Sequence, residues 1–164
     1  MSYYLNADEI FEVGLEIERN GKRFYELAAE QVAEPRVRDL CRELAAWEGQ
    51  HVALFETLRR ELPPEAREGA AFDPNGEEAA YVKAAADSHI FLQDRAIGDL
   101  VADCGSGGDV LDLAISFEKD SVTFYTAMKA LVPPHEGQAH VETLIREELN
   151  HIAILTARKK ELPG

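Results

Sequence analysis

Cysteine is scarce in this sequence, with only Cys41 and Cys104 among 164 residues. The two lie far apart and no Cys-x-x-Cys pair occurs, which excludes a cysteine-ligated iron centre and a zinc ribbon. Isolated cysteines commonly serve as small buried side chains, so we expect that role for both. A disulfide between them stays open at this point.

Basic residues are also few. The chain has 17 Lys and Arg against 31 Asp and Glu, which gives a formal net charge of −14. Such an acidic surface repels phosphate backbones and anionic headgroups, so we expect no nucleic acid and no membrane partner. Any charged protein partner should be basic.

Long apolar runs are absent as well, so the sequence offers no segment suited to span a membrane. Acidic residues at positions 8, 9 and 12 do not fit a secretion signal, and we expect a cytoplasmic protein. The length suits one domain, 1–164, that is large enough to bury a substantial core.

Apolar residues recur at three- and four-residue spacing along four long stretches, which predicts four helices. Asn6 to Glu9 has the pattern of a capping box, and Pro35 suits the first turn of a second helix. Ser106 with Asp109 has a capping pattern again. The predicted organisation is a hairpin at about 6–63, a crossover at about 64–106 with short helices at 77–86 and 93–103, and a hairpin at about 107–162.

Two copies of a Glu-x-x-His motif, Glu48 to His51 and Glu148 to His151, lie one hundred residues apart. Side chains at i and i+3 of a helix are neighbours, so each motif directs a carboxylate and an imidazole to one point. Thirty residues before each motif, another glutamate falls on an apolar helix face, where an unpaired carboxylate is costly. Residues 5–64 align with 105–164 without a gap, and the candidate ligands all match: Glu18, Glu48, His51, Glu118, Glu148 and His151.

Four glutamates and two histidines from four helices form the ligand set of a carboxylate-bridged two-metal site. We expect two ions per chain, about 3.5–4 Å apart, bridged by Glu18 or Glu118. Oxygen-rich ligation with one imidazole per ion suits two iron ions, with manganese or zinc as alternatives. Glu147 could also face His151 at i+4, but the repeat aligns it with a tryptophan, which favours Glu148 as the ligand.

Other residues near the candidate ligands are candidates for a supporting role in the site. Tyr25 and Tyr125 follow the upstream glutamates by seven residues and could hydrogen-bond ligand carboxylates, with simple aromatic packing as the alternative. His89 lies in the crossover, and a ligand role for it is left open.

Gly21 occupies the position that Ser121 has in the second half of the repeat. We expect Gly21 to leave room for an exogenous molecule, so that peroxide or dioxygen approaches from its side.

The pattern resembles the rubrerythrin-like branch of the ferritin-like di-iron superfamily. The resemblance is carried by Glu18-x6-Tyr25 with Glu48-x-x-His51, by Phe117 through Tyr125 with Glu147-Glu148-x-x-His151, and by Ala86 to Phe91 in the crossover. It implies an all-α, ferritin-like four-helix bundle built from two repeated helical hairpins with a long crossover. It also implies an iron pair, reduction of hydrogen peroxide and, frequently, a homodimer.

This chain departs from rubrerythrins in two ways. They carry a second carboxylate where this chain has Ser121, and they carry a rubredoxin domain that these 164 residues lack. We therefore expect a rubrerythrin-like di-iron oxidoreductase that reduces hydrogen peroxide or dioxygen with electrons from an external electron-transfer protein. No catalytic side chain beyond the metal ligands is expected. The alternative is a non-catalytic metal-binding protein for iron handling or sensing.

Overall fold

The computed structural model describes residues 6–68, 75–93, 95–132 and 137–162, and these contain helices but no strand. In chain order the elements are α1 (Ala7–Gln31), α2 (Pro35–Glu61), α3 (Pro64–Glu68), α4 (Glu77–Ser88), a 3-10 turn (Ile90–Leu92), α5 (Ile97–Ala102), α6 (Gly107–Lys129) and α7 (Gln138–Lys160). The four long helices, α1, α2, α6 and α7, are those that the apolar spacing predicts.

The helix starts follow local rules. The Asn6 side chain accepts a hydrogen bond from the Glu9 backbone N–H at 2.9 Å, and Glu9 accepts one from the Asn6 N–H at 3.0 Å. This capping box satisfies two backbone donors that the first turn of α1 would otherwise leave free. Pro35 is the first residue of α2, and Ser106 caps α6 by accepting from the Asp109 N–H at 3.2 Å. All three predicted starts are confirmed.

The long helices form two hairpins. α1 packs along α2 and α6 packs along α7, while contacts of α1 with α6 and of α2 with α7 join the hairpins. Each helix buries one apolar face, and the fully buried side chains include Ile17, Phe24, Leu44, Leu111 and Leu144. The predicted four-helix bundle of two hairpins with a long crossover is confirmed.

The crossover is held by both hairpins at once. α4 packs on α6 and α5 packs on α1. Between them, the Asn20 side chain donates to the Phe91 carbonyl at 3.0 Å, and Asp120 accepts from the Ile90 backbone N–H at 3.0 Å. The helix predicted at 93–103 begins only at Ile97, since Gln93 has extended backbone after the 3-10 turn.

An aromatic cluster closes the face of the bundle that lies beneath the crossover. The Phe91 ring stacks on Phe117, with centroids 4.5 Å apart, and contacts Phe24 at 5.1 Å. The Phe117 ring also fills the place that the missing side chain of Gly21 would take, because a Cβ built there would lie 2.4 Å from Phe117 Cζ. The expectation that Gly21 leaves room for an exogenous molecule is therefore wrong. The glycine makes space for a ring of the protein itself.

Both cysteines are free, so the open question of a disulfide between Cys41 and Cys104 is answered. Cys41 is buried as expected, and this burial raises the pKa of its thiol to about 12. Cys104 is only half-buried, so the expectation of a buried side chain holds for Cys41 alone. Among the described residues, no helix combines the length and the apolar character that a membrane span requires.

The packing of Gly21 yields a stability prediction. Gly21→Ala should lower the free energy of unfolding by about 1–3 kcal/mol, because overpacking against Phe117 outweighs the better helix propensity of alanine. Gly49→Ala is the matched control, since its Cβ would meet Lys22 Cε at an ordinary 3.6 Å. We expect that control to gain about 0.5–1 kcal/mol. Urea unfolding measures both, and an equal gain in the two variants would contradict the packing account.

Candidate metal centre

Six side chains from the four long helices meet in the core. Each Glu-x-x-His motif places its glutamate and histidine on one helix face, in α2 and in α7, while α1 and α6 each add one glutamate. The four carboxylates are at most 1% exposed, and the imidazoles are 5% and 3% exposed. The six residues that the structure brings together are the six that the sequence singles out: Glu18, Glu48, His51, Glu118, Glu148 and His151.

The six residues form two overlapping groups. Glu18, Glu48, His51 and Glu148 make the first group, and Glu48, Glu118, Glu148 and His151 make the second. Within each group, one ligand atom from every residue lies within 4.8 Å of the others.

The two groups share Glu48 and Glu148. This grouping differs from the expectation that Glu18 or Glu118 forms the bridge, because each of these belongs to one group alone.

Both histidines point the same ring nitrogen into the centre. His51 Nδ1 lies 3.3 Å from Glu18 Oε2, 3.3 Å from Glu48 Oε2 and 3.1 Å from Glu148 Oε1. His151 Nδ1 lies 2.8 Å from Glu148 Oε2 and 3.5 Å from Glu118 Oε1. One ring nitrogen carries at most one hydrogen, so it cannot satisfy this many oxygens at once.

Several carboxylate oxygens consequently lack a hydrogen-bond donor. In the part of the chain that the structure describes, both oxygens of Glu48, Oε2 of Glu118 and Oε1 of Glu148 are buried without one. A buried carboxylate without a partner is strongly unfavourable, and it is stabilised by a cation bound between such oxygens. The donor set of carboxylate oxygens with one imidazole nitrogen per group fits a pair of divalent cations.

The pKa shifts of the residues in the centre also indicate that bound positive charge would be favourable there. Burial raises the pKa of Glu48 and of Glu118 well above the usual range, and neighbouring carboxylates raise both further. Burial would also raise the pKa of Glu148, but the hydrogen bond from His151 and the nearby imidazole of His51 lower it below its ordinary value. Burial opposes protonation of His151, yet hydrogen bonds to Glu118 and Glu148 raise its pKa to about 9.

Two tyrosines connect the hairpins at the centre. The Tyr25 hydroxyl donates to Glu118 Oε1, and the Tyr125 hydroxyl donates to Glu18 Oε1. Burial, followed by the nearby carboxylates, raises the pKa of both phenols, so they stay protonated donors. Each tyrosine therefore holds a glutamate of the other hairpin, which goes beyond simple aromatic packing.

Two contacts on the outer side of the histidines do not follow from the sequence pattern. Glu147 Oε2 lies 3.0 Å from His51 Nε2, and the Trp47 indole stacks on the His151 ring with centroids 5.0 Å apart and planes 4° apart. Residues 47 and 147 occupy equivalent positions of the repeat, directly before each motif. The sequence pattern gave Glu147 only as an alternative to Glu148, facing His151 of its own helix, whereas the structure places it against His51 of the other hairpin.

His89 belongs to neither group of the described residues that could hold a metal. It is fully buried, which lowers its pKa to about 4 and keeps the imidazole neutral. Its Nδ1 accepts from the Phe91 backbone N–H at 3.2 Å, so its hydrogen is on Nε2, which lies 3.3 Å from Ser121 Oγ. His89 thus ties the crossover to α6.

Comparison with known proteins supports the fold. A Thermotoga maritima protein, proposed to be a ferritin-like diiron-carboxylate protein, superposes with a TM-score of 0.73 at 23% sequence identity, over 98% of this chain and 99% of that one. No protein-family model matches the chain, and no curated protein matches it. The ferritin-like fold is confirmed. The rubrerythrin-like branch stays a prediction from the motifs.

The protonation of the centre predicts how the metal-free protein responds to pH. The folded pKa of His151, about 9, lies above its ordinary value of 6.5, so its stabilising charge is complete below pH 6.5 and is lost as the pH rises through about 9. The raised pKa values of His51, Glu48 and Glu118 act in the same direction.

The melting temperature of metal-free protein should therefore fall between pH 6.5 and pH 9. Bound cations would replace these protons, so the metal-loaded protein should be more stable and less sensitive to pH. Calorimetry of both forms across this interval measures the effect. A metal-free protein that becomes more stable with rising pH would contradict the electrostatic account.

Proposed function

We propose that the chain binds two iron ions and is a rubrerythrin-like oxidoreductase that reduces hydrogen peroxide or dioxygen. The observation that carries the proposal is the pair of buried ligand groups sharing Glu48 and Glu148, with carboxylate oxygens that have no other partner. The ferritin-like fold and the description of the Thermotoga maritima protein support it by analogy.

The ligand set suits this pair of ions in charge and in chemistry. Four carboxylates neutralise two divalent cations, so the loaded core would carry no net charge. Oxygen donors with one imidazole nitrogen in each group suit iron or manganese, and zinc fits as well. Zinc has no redox chemistry, so the proposed oxidoreductase activity favours iron or manganese over zinc.

Two ferrous ions supply two electrons when bound, the number needed to reduce one peroxide O–O bond. The side chains of this chain position and insulate the ligands. Tyr25 and Tyr125 hold Glu118 and Glu18 through protonated hydroxyls, which fixes each carboxylate from the opposite hairpin. The Phe91 and Phe117 rings stack on each other and add an apolar wall beneath the crossover.

The electrons for repeated turnover would come from an external electron-transfer protein. Among the described residues, the groups of His, Cys, Asp and Glu that could hold a metal all belong to this one centre, and both cysteines are free. The net charge of −14 would favour a donor with a basic surface.

One observation favours a second candidate function. Ser121 stands where rubrerythrins carry an additional carboxylate, and it lies beside the neutral His89 instead of an ionised group. A centre without that carboxylate fits a non-catalytic metal-binding protein for iron handling or sensing.

Metal analysis tests the ligand assignment. Protein purified without chelators should contain two metal ions per chain. Glu18→Ala and Glu118→Ala should each lose metal to a similar extent, because the two positions are equivalent in the repeat and each serves one group. Glu16→Ala is the matched control, since Glu16 is exposed on the same helix as Glu18 and should keep both ions. Full metal content in both ligand variants would contradict the assignment.

A peroxide assay separates the two candidate functions. Iron-loaded and chemically reduced protein should consume about one hydrogen peroxide for each pair of ferrous ions, and it should turn over repeatedly when a reductant is supplied. Metal-free protein is the control. A fully loaded protein that consumes no peroxide and no dioxygen would favour iron handling or sensing.

A further inference from the structure

A cavity of about 500 Å³ lies between α2 and α7, on the outer side of the two imidazoles. His51 and His151 are the candidate ligands that line it, and none of the four glutamates does. Trp47 and Gln50 of α2 and Thr143 and Glu147 of α7 form much of its wall. We name this cavity the α2–α7 cleft.

Among the described residues, the face beneath the crossover is packed with aromatic rings, and two other cavities lie away from the candidate ligands. Beneath the crossover, Phe117 occupies the space next to Gly21 and stacks on Phe91. Two further cavities among the described residues, one beside Phe91 and one beside Cys104, are lined by none of the six candidate ligands. Of these three cavities, the α2–α7 cleft is the one lined by candidate ligands.

The two histidines are covered differently at the floor of this cleft. The flat indole of Trp47 lies on the His151 ring. His51 is covered by the carboxylate of Glu147, whose side chain is 50% exposed and contacts His51 Nε2 at 3.0 Å. Behind His51, its Nδ1 lies within 3.3 Å of oxygens of three candidate ligands. A half-exposed carboxylate that contacts His51 thus lies on the solvent side of the first ligand group.

The geometry points to the α2–α7 cleft as the access route by which divalent cations reach the centre. Glu147, which contacts His51 in the wall of the cleft, is the residue that first binds them. This inference rests on the proposed metal binding and adds the route to it. The negative charge of Glu147 attracts a cation into the cleft, as does the overall charge of −14. The exposed Arg146 at the rim is paired with Glu142 at 3.5 Å, which offsets its repulsion.

A bulky side chain in the cleft tests the route. Thr143→Trp should slow both the uptake of Co²⁺ by metal-free protein and its extraction by a chelator by about tenfold or more, because each passage would need the ring to move aside. The final stoichiometry should stay at two ions per chain. Thr123→Trp is the matched control, since Thr123 and Thr143 are both exposed and each donates to the carbonyl four residues earlier. Its rates should stay within about twofold of the unmodified protein.

A second variant tests the role of Glu147. Glu147→Gln keeps the shape and an oxygen that can accept from His51 Nε2, but it removes the charge. Uptake of Co²⁺ should slow by about three- to tenfold, with two ions still bound at equilibrium. Glu30→Gln removes one charge from an exposed site on α1 and should not change the rate.

Each outcome decides something. Unchanged rates in Thr143→Trp, with native melting behaviour, would overturn the route. Slow exchange in Thr143→Trp together with normal uptake in Glu147→Gln would support the cleft and overturn the role of Glu147. If the unmodified protein takes up no Co²⁺, the proposed metal binding fails first, and the access route fails with it.

Discussion

Four carboxylates buried side by side are the constraint on which this structure depends. Glu18, Glu48, Glu118 and Glu148 are each at most 1% exposed, and they lie where helices would otherwise pack apolar side chains. Two imidazoles and two phenols cannot supply enough hydrogens for eight carboxylate oxygens. The arrangement becomes favourable when cations occupy it, so the fold, with two hairpins meeting across the centre, is best understood as a frame for bound metal.

The internal repeat supplies equivalent ligand positions in both hairpins, but the residues around these positions differ between the two halves. Equivalent positions hold the same glutamates, histidines and tyrosines in both hairpins. At neighbouring positions the halves differ: Gly21 admits the Phe117 ring where the other half has Ser121, and Trp47 covers one histidine where Glu147 bonds the other. The centre is thus nearly symmetric in its ligands and asymmetric in its surroundings. As a result, an aromatic cluster lies beneath the crossover, whereas a cleft lies on the outer side of the two imidazoles.

Much of this architecture could be predicted from the sequence, because it rests on local signals. The Asn6 capping box and the i, i+3 spacing of each motif depend on residues within one helical turn, and the six candidate ligands follow from that spacing and the repeat. What could not be predicted depends on how the hairpins face each other. The sharing of Glu48 and Glu148, the reach of Glu147 to His51, and the ring of Phe117 against Gly21 all involve contacts between hairpins. Helical periodicity defines the helix face on which a residue lies, but it does not define which residue of another helix lies opposite it.

Anomalous diffraction from crystals of the iron-loaded protein, recorded at the iron edge, tests the central claim most directly. The account predicts two peaks per chain, one among Glu18, Glu48, His51 and Glu148 and the other among Glu48, Glu118, Glu148 and His151. The peaks should lie on either side of the shared carboxylates. A map with no peak at the centre, or with iron bound only outside these six residues, would contradict it.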